Sequence, residues 1–254
     1  MLASIERAPL TGRQRELELL RERLRRAAQG AGGGVVLAGE AGIGKSRLIA
    51  EARALAEDHR FLVLQGRCFE HDRSLPYAPV VDLLRALLRR RPDEASPRAP
   101  DGIPPELRRL LPELAGSTPQ AVEPSEPELE QRRLMQAIAT FLLGFAGERP
   151  RLLVFEDLHW SDDATIDLLH RLARQIEGQR VLLLLSYRND EAHEALAHLL
   201  AELERERLAV ELPLGRLATG EVDALLRGIF GQRQPVRRDF LQAIYELTEG
   251  NPFF

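Results

Sequence analysis

The chain has 254 residues and is 44% hydrophobic, enough for one large α/β domain with a small appended piece and a sizeable core. Its net charge of −4 and pI of about 6.0 argue against nucleic acid as the main partner of this segment, since a basic footprint would be expected. The single cysteine, Cys68, excludes an internal disulfide and fits a reducing cytoplasm, residues 1–10 carry no signal-peptide pattern, and no apolar run approaches the ~20 residues of a membrane span.

In chain order, residues 10–29 read as a helix with Leu17, Leu20 and Leu24 on one face. A glycine-rich break at 29–34 leads into a short buried strand over 35–38. The next helix is expected over 46–58, a second strand over 61–66, and a helix over 79–90 with Val80, Leu83, Leu84, Leu87 and Leu88 at helical spacing. Between residues 92 and 127 the periodicity fails. More than half of the 16 prolines fall there, which reads as a surface insertion of loops and short helical turns.

The clearest amphipathic helix spans 128–146, with Leu134, Ile138, Phe141, Leu142 and Phe145 on one face and Ser125 with Glu128 as a capping box. A strand over 152–155 ends in Glu156-Asp157. A helix over 163–176 takes Ser161 as its N-cap. Strand 181–185, helix 191–205 and strand 208–212 follow, and after Pro213 the chain turns helical at 219–230 and 236–249. Alternating strands and helices predict a three-layer α/β sandwich with a mostly parallel five-stranded sheet. The predicted division is an N-terminal helix and linker (1–34), a core (35–213) and a small helical lid (214–254) that reads as truncated.

Gly39-Glu40-Ala41-Gly42-Ile43-Gly44-Lys45-Ser46 matches G-x-x-x-x-G-K-[ST] between an expected strand and an expected helix. The glycines let backbone N–H groups turn inward as a nest for phosphate oxygens, and the helix adds its positive N-terminal end. Lys45 is expected to reach the β- and γ-phosphates, the Ser46 hydroxyl to ligate Mg²⁺, and Arg47 to line the same site. Every Lys or Arg among the 35 is arginine except Lys45. A lone lysine in that background is informative, because a compact ammonium is not interchangeable with a guanidinium fork.

Leu152-Leu153-Val154-Phe155 followed by Glu156 and Asp157 has the form of a buried strand with acids at its C-terminal end, where ligands bind in open α/β sheets. Glu156, first after the apolar run, is assigned to Mg²⁺ and placed nearer the Ser46 hydroxyl. Asp157 is assigned to orienting the attacking water.

Together these residues resemble the nucleotide-binding domain of STAND ATPases, the signalling branch of AAA+-like P-loop proteins, and above all the domain that begins large LuxR-type transcriptional regulators. The resemblance covers nearly the whole chain. It extends to Leu10-Thr11-Gly12-Arg13 with Glu16 and Leu20, to Leu75-Pro76-Tyr77-Ala78-Pro79, to Glu156-Asp157-Leu158-His159-Trp160-Ser161-Asp162, to Leu184-Leu185-Ser186-Tyr187-Arg188, and to Gly250-Asn251-Pro252-Phe253. It implies ATP or ADP with Mg²⁺ as ligands, Arg13 near the adenine, Arg188 as a γ-phosphate sensor and Pro252 packing on adenine from the lid. Many such relatives carry Asp where Glu156 stands; a longer acid there implies slow hydrolysis.

Plain structural readings stand beside these roles. Arg188 could form a surface ion pair with Asp190 or Glu191, Arg13 could cap a helix, and Pro252 could simply end one. His159 and Trp160 are read as packing the loop after the acidic strand. His71 near Cys68 is too sparse for a metal site.

The expected function is a slowly hydrolysing, nucleotide-gated switch within a larger regulator of transcription, with self-association or further C-terminal sensor and output domains as partners. The alternatives are an AAA+ remodelling ATPase and a replication-initiator-like DNA-binding ATPase. Direct nucleic-acid binding by this segment is disfavoured by its charge.

Overall fold

The computed structural model describes residues 10–88, 104–111, 126–144, 149–232 and 234–254. Helix α1 (Gln14–Ala28) precedes strand β1 (Gly33–Ala38) and α2 (Lys45–Asp58); β2 (Leu62–Arg67) and α3 (Ala78–Leu88) follow. Two further helices, α4 (Pro105–Leu110) and α5 (Pro127–Gly144), lead to β3 (Arg151–Glu156) and α6 (Asp163–Gln175). Strand β4 (Val181–Tyr187), α7 (Glu194–Arg205) and β5 (Ala209–Pro213) complete the layered part, and helices α8 (Thr219–Phe230) and α9 (Arg238–Thr248) form a pair after it.

The sheet has five strands in the order β2-β3-β4-β1-β5, and every pairing is parallel. Parallel pairing requires crossover connections, and the helices between successive strands supply them. The order separates β1, which feeds the glycine-rich loop, from β3, which carries the acids. Strand β4 lies between them, with Ala38 opposite Tyr187 and Phe155 opposite Leu185. The C-terminal ends of the three strands therefore open on one edge of the sheet.

Side chains alternate across a strand, and both faces are buried. Val35 and Leu37 of β1, Leu152 and Val154 of β3, and Leu182 and Leu184 of β4 pack with Leu20 and Leu24 of α1 and Leu48 and Ile49 of α2. Val36, Leu153, Phe155, Leu183 and Leu185 pack on the other face with α3, α5, α6 and α7. This explains the near-continuous apolar runs of β3 and β4, every residue of which is buried. Gly66 allows α3 to approach: a Cβ there would lie 2.1 Å from the Pro79 carbonyl oxygen.

Some local expectations shift. The N-cap of α6 is Asp162, whose carboxylate accepts from the Thr165 N–H at 2.9 Å; Ser161 instead donates its hydroxyl to the Leu158 carbonyl. Helix α7 starts at Glu194 rather than 191, because His193 Nδ1 accepts from the Leu196 N–H and caps it. Glu191 thus stays in the loop after β4. Ser125 and Phe145 lie outside the described residues, as does most of the proline-rich stretch; α4 is a short helix within it.

Candidate nucleotide-binding site

The loop from Gly39 to Gly44 depends on backbone conformations open to glycine. Gly42 and Gly44 have φ of 75° and 103°, values that L side chains rarely adopt. A Cβ on Gly44 would meet nothing within 4 Å, so the loop curves around open space. Gly44 is the N-cap of α2, which has neither a side-chain cap nor an acid in its first turn. Its first N–H groups thus lack the side-chain acceptors that usually satisfy a helix start, a ready arrangement for an anion. Ser46 is exposed on this side, and Arg47 is paired with Glu51 at 2.9 Å.

Lys45 is buried and spans the loop: its Nζ donates to the Gly39 and Glu40 carbonyls at 2.7 and 2.8 Å. Burial pushes its ammonium below the usual lysine range, and the carboxylate of Asp157 partly offsets that while Arg188 adds to it. The charges of the second acid and the strand-end arginine therefore both reach the loop lysine across the edge of the sheet.

The two acids occupy different environments. Glu156 is buried and its Oε1 accepts from Gln65 Nε2 on β2. It follows Leu152 and Val154 in the alternation of β3, on the face that carries α2. Asp157 leaves the strand in the left-handed region, φ 60°. Its N–H donates to the Ser186 hydroxyl, and its carboxylate pairs with Arg67 at 2.9 Å. Arg188 is a third exposed and bonds Glu191 at 2.6 Å, so the ion pair weighed from sequence is present.

Arg13 is buried and stands at the N-cap position of α1, but its side chain makes no capping bond there. Its guanidinium donates to the carbonyls of Ile43 in the loop and Gly215 after β5, at 3.1 and 2.6 Å, and pairs with Glu16. A cavity of about 270 Å³ lies beside it. Arg13, residues 42–44 and Arg47 line one side, and Leu217, Leu225, Ile229, Pro252 and Phe253 the other. The lining is largely apolar next to a nest of N–H groups, a combination suited to a flat aromatic base joined to phosphates.

Sequence reasoning missed what joins the helical pair to the loop. Asn251 Nδ2 donates to the Ala41 carbonyl at 3.0 Å, while its Oδ1 accepts from the Phe253 N–H. Arg216 bridges Glu40, at 3.0 Å, and Glu249. The Leu217 N–H donates to the Gly250 carbonyl at 2.8 Å. Asn251 lay inside a motif already noticed, but Arg216 had no signal in so arginine-rich a chain.

A strand, glycine loop and helix with a buried lysine, two acids at a separate strand end and β4 inserted between them are the parts of an ATPase core. Residues 9–185 match the AAA ATPase domain family.

The chain belongs to the AAA ATPase domain family.

The AAA-type resemblance read from the sequence holds at the level of the family, and this fold implies nucleotide binding. An uncharacterized protein of Rhizobium meliloti (strain 1021) is 27% identical over a 198-residue alignment, and the match covers 74% of this chain and 19% of that protein. The ORC1 protein of Aeropyrum pernix, solved in complex with DNA, is similar in fold with a TM-score of 0.54 and 19% identity, over 95% of this chain and 56% of its own. A STAND protein with a tetratricopeptide repeat sensor from Pyrococcus horikoshii gives a TM-score of 0.45 and 20% identity, over 97% of this chain and 30% of its own. The chain thus spans a fifth to about half of these relatives. Among the described residues no helix is long and apolar enough to cross a membrane.

Proposed function

We propose that this AAA domain binds and slowly hydrolyses ATP as the nucleotide-dependent switch of a larger transcriptional regulator. The observation that carries the reading is the placement of the cavity between the phosphate loop and the α8–α9 pair, with Asn251 and Arg216 joining the two. Residues 214–254 then act as a lid whose position depends on what fills the loop.

In this reading residues 39–47 hold the phosphates through backbone N–H groups and Lys45. Ser46 and Glu156 hold Mg²⁺, and Arg13 and Pro252 flank the base. Mg²⁺ held there would supply positive charge to the phosphate oxygens. Asp157, partly exposed and facing Lys45, accepts a hydrogen bond from the attacking water and orients it. Gln65 fixes the carboxylate of Glu156, so that acid is positioned before any ligand arrives. Arg188 reaches toward the γ-phosphate from the end of β4 and distinguishes ATP from ADP.

A ligand shifts a two-state equilibrium only through differential affinity, and couplings of about 1–3 kcal/mol are typical. One charge-assisted arginine–phosphate contact, about 1.5–3 kcal/mol, is sufficient. Small-angle scattering of wild type and Arg188→Ala with MgADP and a non-hydrolysable MgATP analogue tests this. Wild type should give two lid positions and the variant one. Equal scattering of wild type with both nucleotides, alongside rapid steady-state turnover, would instead support a remodelling ATPase. The likeness to an initiator concerns fold alone, and the net charge of −4 gives no support for DNA as its ligand.

A further inference from the structure

Glu191 lies outside every motif discussed above, yet it meets the two groups nearest the end of β4. One carboxylate oxygen takes Arg188 Nη1 at 2.6 Å; the other is 3.6 Å from Nε2 of His159. The His159 side chain is fully buried, and neither ring nitrogen has a hydrogen-bond partner among the described residues. Buried polar groups without partners are uncommon and costly, and each one asks for an explanation. The ring is held against Trp160, with centroids 5.2 Å apart, and it follows Asp157 by two residues. Arg188 and Glu191 are also fixed to each other through the backbone, since the Glu191 N–H donates to the Arg188 carbonyl at 3.1 Å.

These contacts make Glu191 a competitor. The carboxylate holds Arg188 through Nη1 at 2.6 Å, so it competes as an anion with a phosphate oxygen for that donor and for the position of the guanidinium. We propose that Glu191 is a positioning residue that stows Arg188 when no γ-phosphate is present, and that His159 receives the Glu191 carboxylate when Arg188 swings away. The inference rests on the reading of Arg188 as the γ-phosphate sensor.

The exchange explains both oddities at once. Arg188 gains a phosphate and gives up a carboxylate, so the stow trims the discrimination that the phosphate contact alone would give and leaves the remainder to drive the switch. The released carboxylate keeps water on its exposed side, and on its buried side the unpartnered Nε2 of His159 is the donor placed to take it. The stow thereby keeps Arg188 from binding other anions and makes the response to the third phosphate a swap of partners.

The test is titration calorimetry of MgADP and a non-hydrolysable MgATP analogue on wild type, Glu191→Gln, Arg188→Ala and the double variant. Glu191 is a third exposed and its amide is isosteric, so folding is preserved. Glu191→Gln should raise the preference for the ATP analogue over ADP about tenfold, as loss of a charge-assisted competitor implies, with ADP affinity unchanged. In the Arg188→Ala background the same substitution should change nothing. A gain that persists there would show a general field effect of the lost charge and overturn the stow. Unchanged discrimination in Glu191→Gln, with discrimination lost in Arg188→Ala, would overturn the stow and leave the sensor intact. Unchanged discrimination in Arg188→Ala would overturn the sensor reading itself. For His159, ¹⁵N spectra should show Nε2 becoming hydrogen-bonded with the ATP analogue but not with ADP, and not in Glu191→Gln; a resonance that ignores the nucleotide removes His159 from the exchange.

Discussion

Asn251, three residues past the end of α9, donates its side-chain amide to the carbonyl of Ala41, 210 residues earlier in the phosphate loop. The same side chain accepts the Phe253 N–H at 3.1 Å, so both ends of the amide are used. Gly42 makes room for this: a Cβ there would lie 2.5 Å from the Phe253 Cβ and 3.0 Å from Asn251 Oδ1. The segment after α9 and the phosphate loop thus share one hydrogen-bonded seam, the proposed lid contact.

Breaking that seam should open the lid. Asn251→Ala removes two bonds at a buried position, a loss of about 1–3 kcal/mol in lid closure. Nucleotide affinity should fall about tenfold, read by calorimetry, while the melting temperature of the sheet core stays close to wild type. Gly42→Ala should act in the same direction, through the clash and through its φ of 75°. Wild-type affinity in both variants would separate the seam from nucleotide binding.

Lys45→Ala should abolish tight MgATP binding, since it removes the only ammonium of the loop. The same residue gives a pH dependence. Burial lowers its pKa in the free protein, and phosphate favours the charged form. Binding above the free-state value then requires proton uptake, so affinity should decline with rising pH, beginning below the 10.5 of an ordinary lysine. An affinity flat to that pH would contradict the placement of Lys45 on the phosphates.

The two acids should separate by role. Glu156→Gln should weaken the Mg²⁺-dependent part of ATP binding, and Asp157→Asn should slow hydrolysis more than binding. Gln65→Leu tests the support of Glu156: stranding a buried carboxylate should cost about 1–3 kcal/mol of stability and reduce the Mg²⁺ dependence. Denaturant unfolding and Mg²⁺ titrations read the outcomes; reversed effects at 156 and 157 would exchange their roles and keep the site.

His193 caps α7 through Nδ1, and burial, then Arg73, hold its pKa below 6.5. With the folded pKa depressed, the unfolded chain binds the proton first as pH falls. Its stability contribution is therefore complete above pH 6.5 and is lost as pH drops toward the folded pKa, then levels off. His193→Asn keeps a capping acceptor without titrating and should flatten that segment of the stability–pH curve. A variant curve parallel to wild type below pH 6.5 would place the acid sensitivity elsewhere.

All five strands and the core helices were legible because burial on both faces writes itself as apolar runs and helical spacing writes itself as Leu17, Leu20 and Leu24. The glycine loop was legible because its backbone conformation demands particular residues. The lid seam was not, since Asn251 and Arg216 act on carbonyl and carboxylate groups brought near only by the fold. Helix starts shifted for a related reason: Asp162 and His193 won their caps from equally plausible neighbours by geometry. Asp157 shows a further limit. A strand ending in two acids predicts alternation, and a left-handed residue at the second one redirects it.

The pair α8–α9 enters and leaves the layered domain at one place, where the Leu217 N–H meets the Gly250 carbonyl. A Cβ on Gly250 would lie 2.2 Å from the Leu217 carbonyl oxygen, so the crossing is as tight as backbone allows. In the proposed switch this crossing would serve as a fulcrum beside the phosphate loop. The 12 residues of α8 extend about 18 Å from that point at 1.5 Å per residue. A tilt too small to disturb the loop therefore sweeps the far turn, around Phe230 and Phe240, through a much longer arc, and both of these aromatic side chains face solvent there.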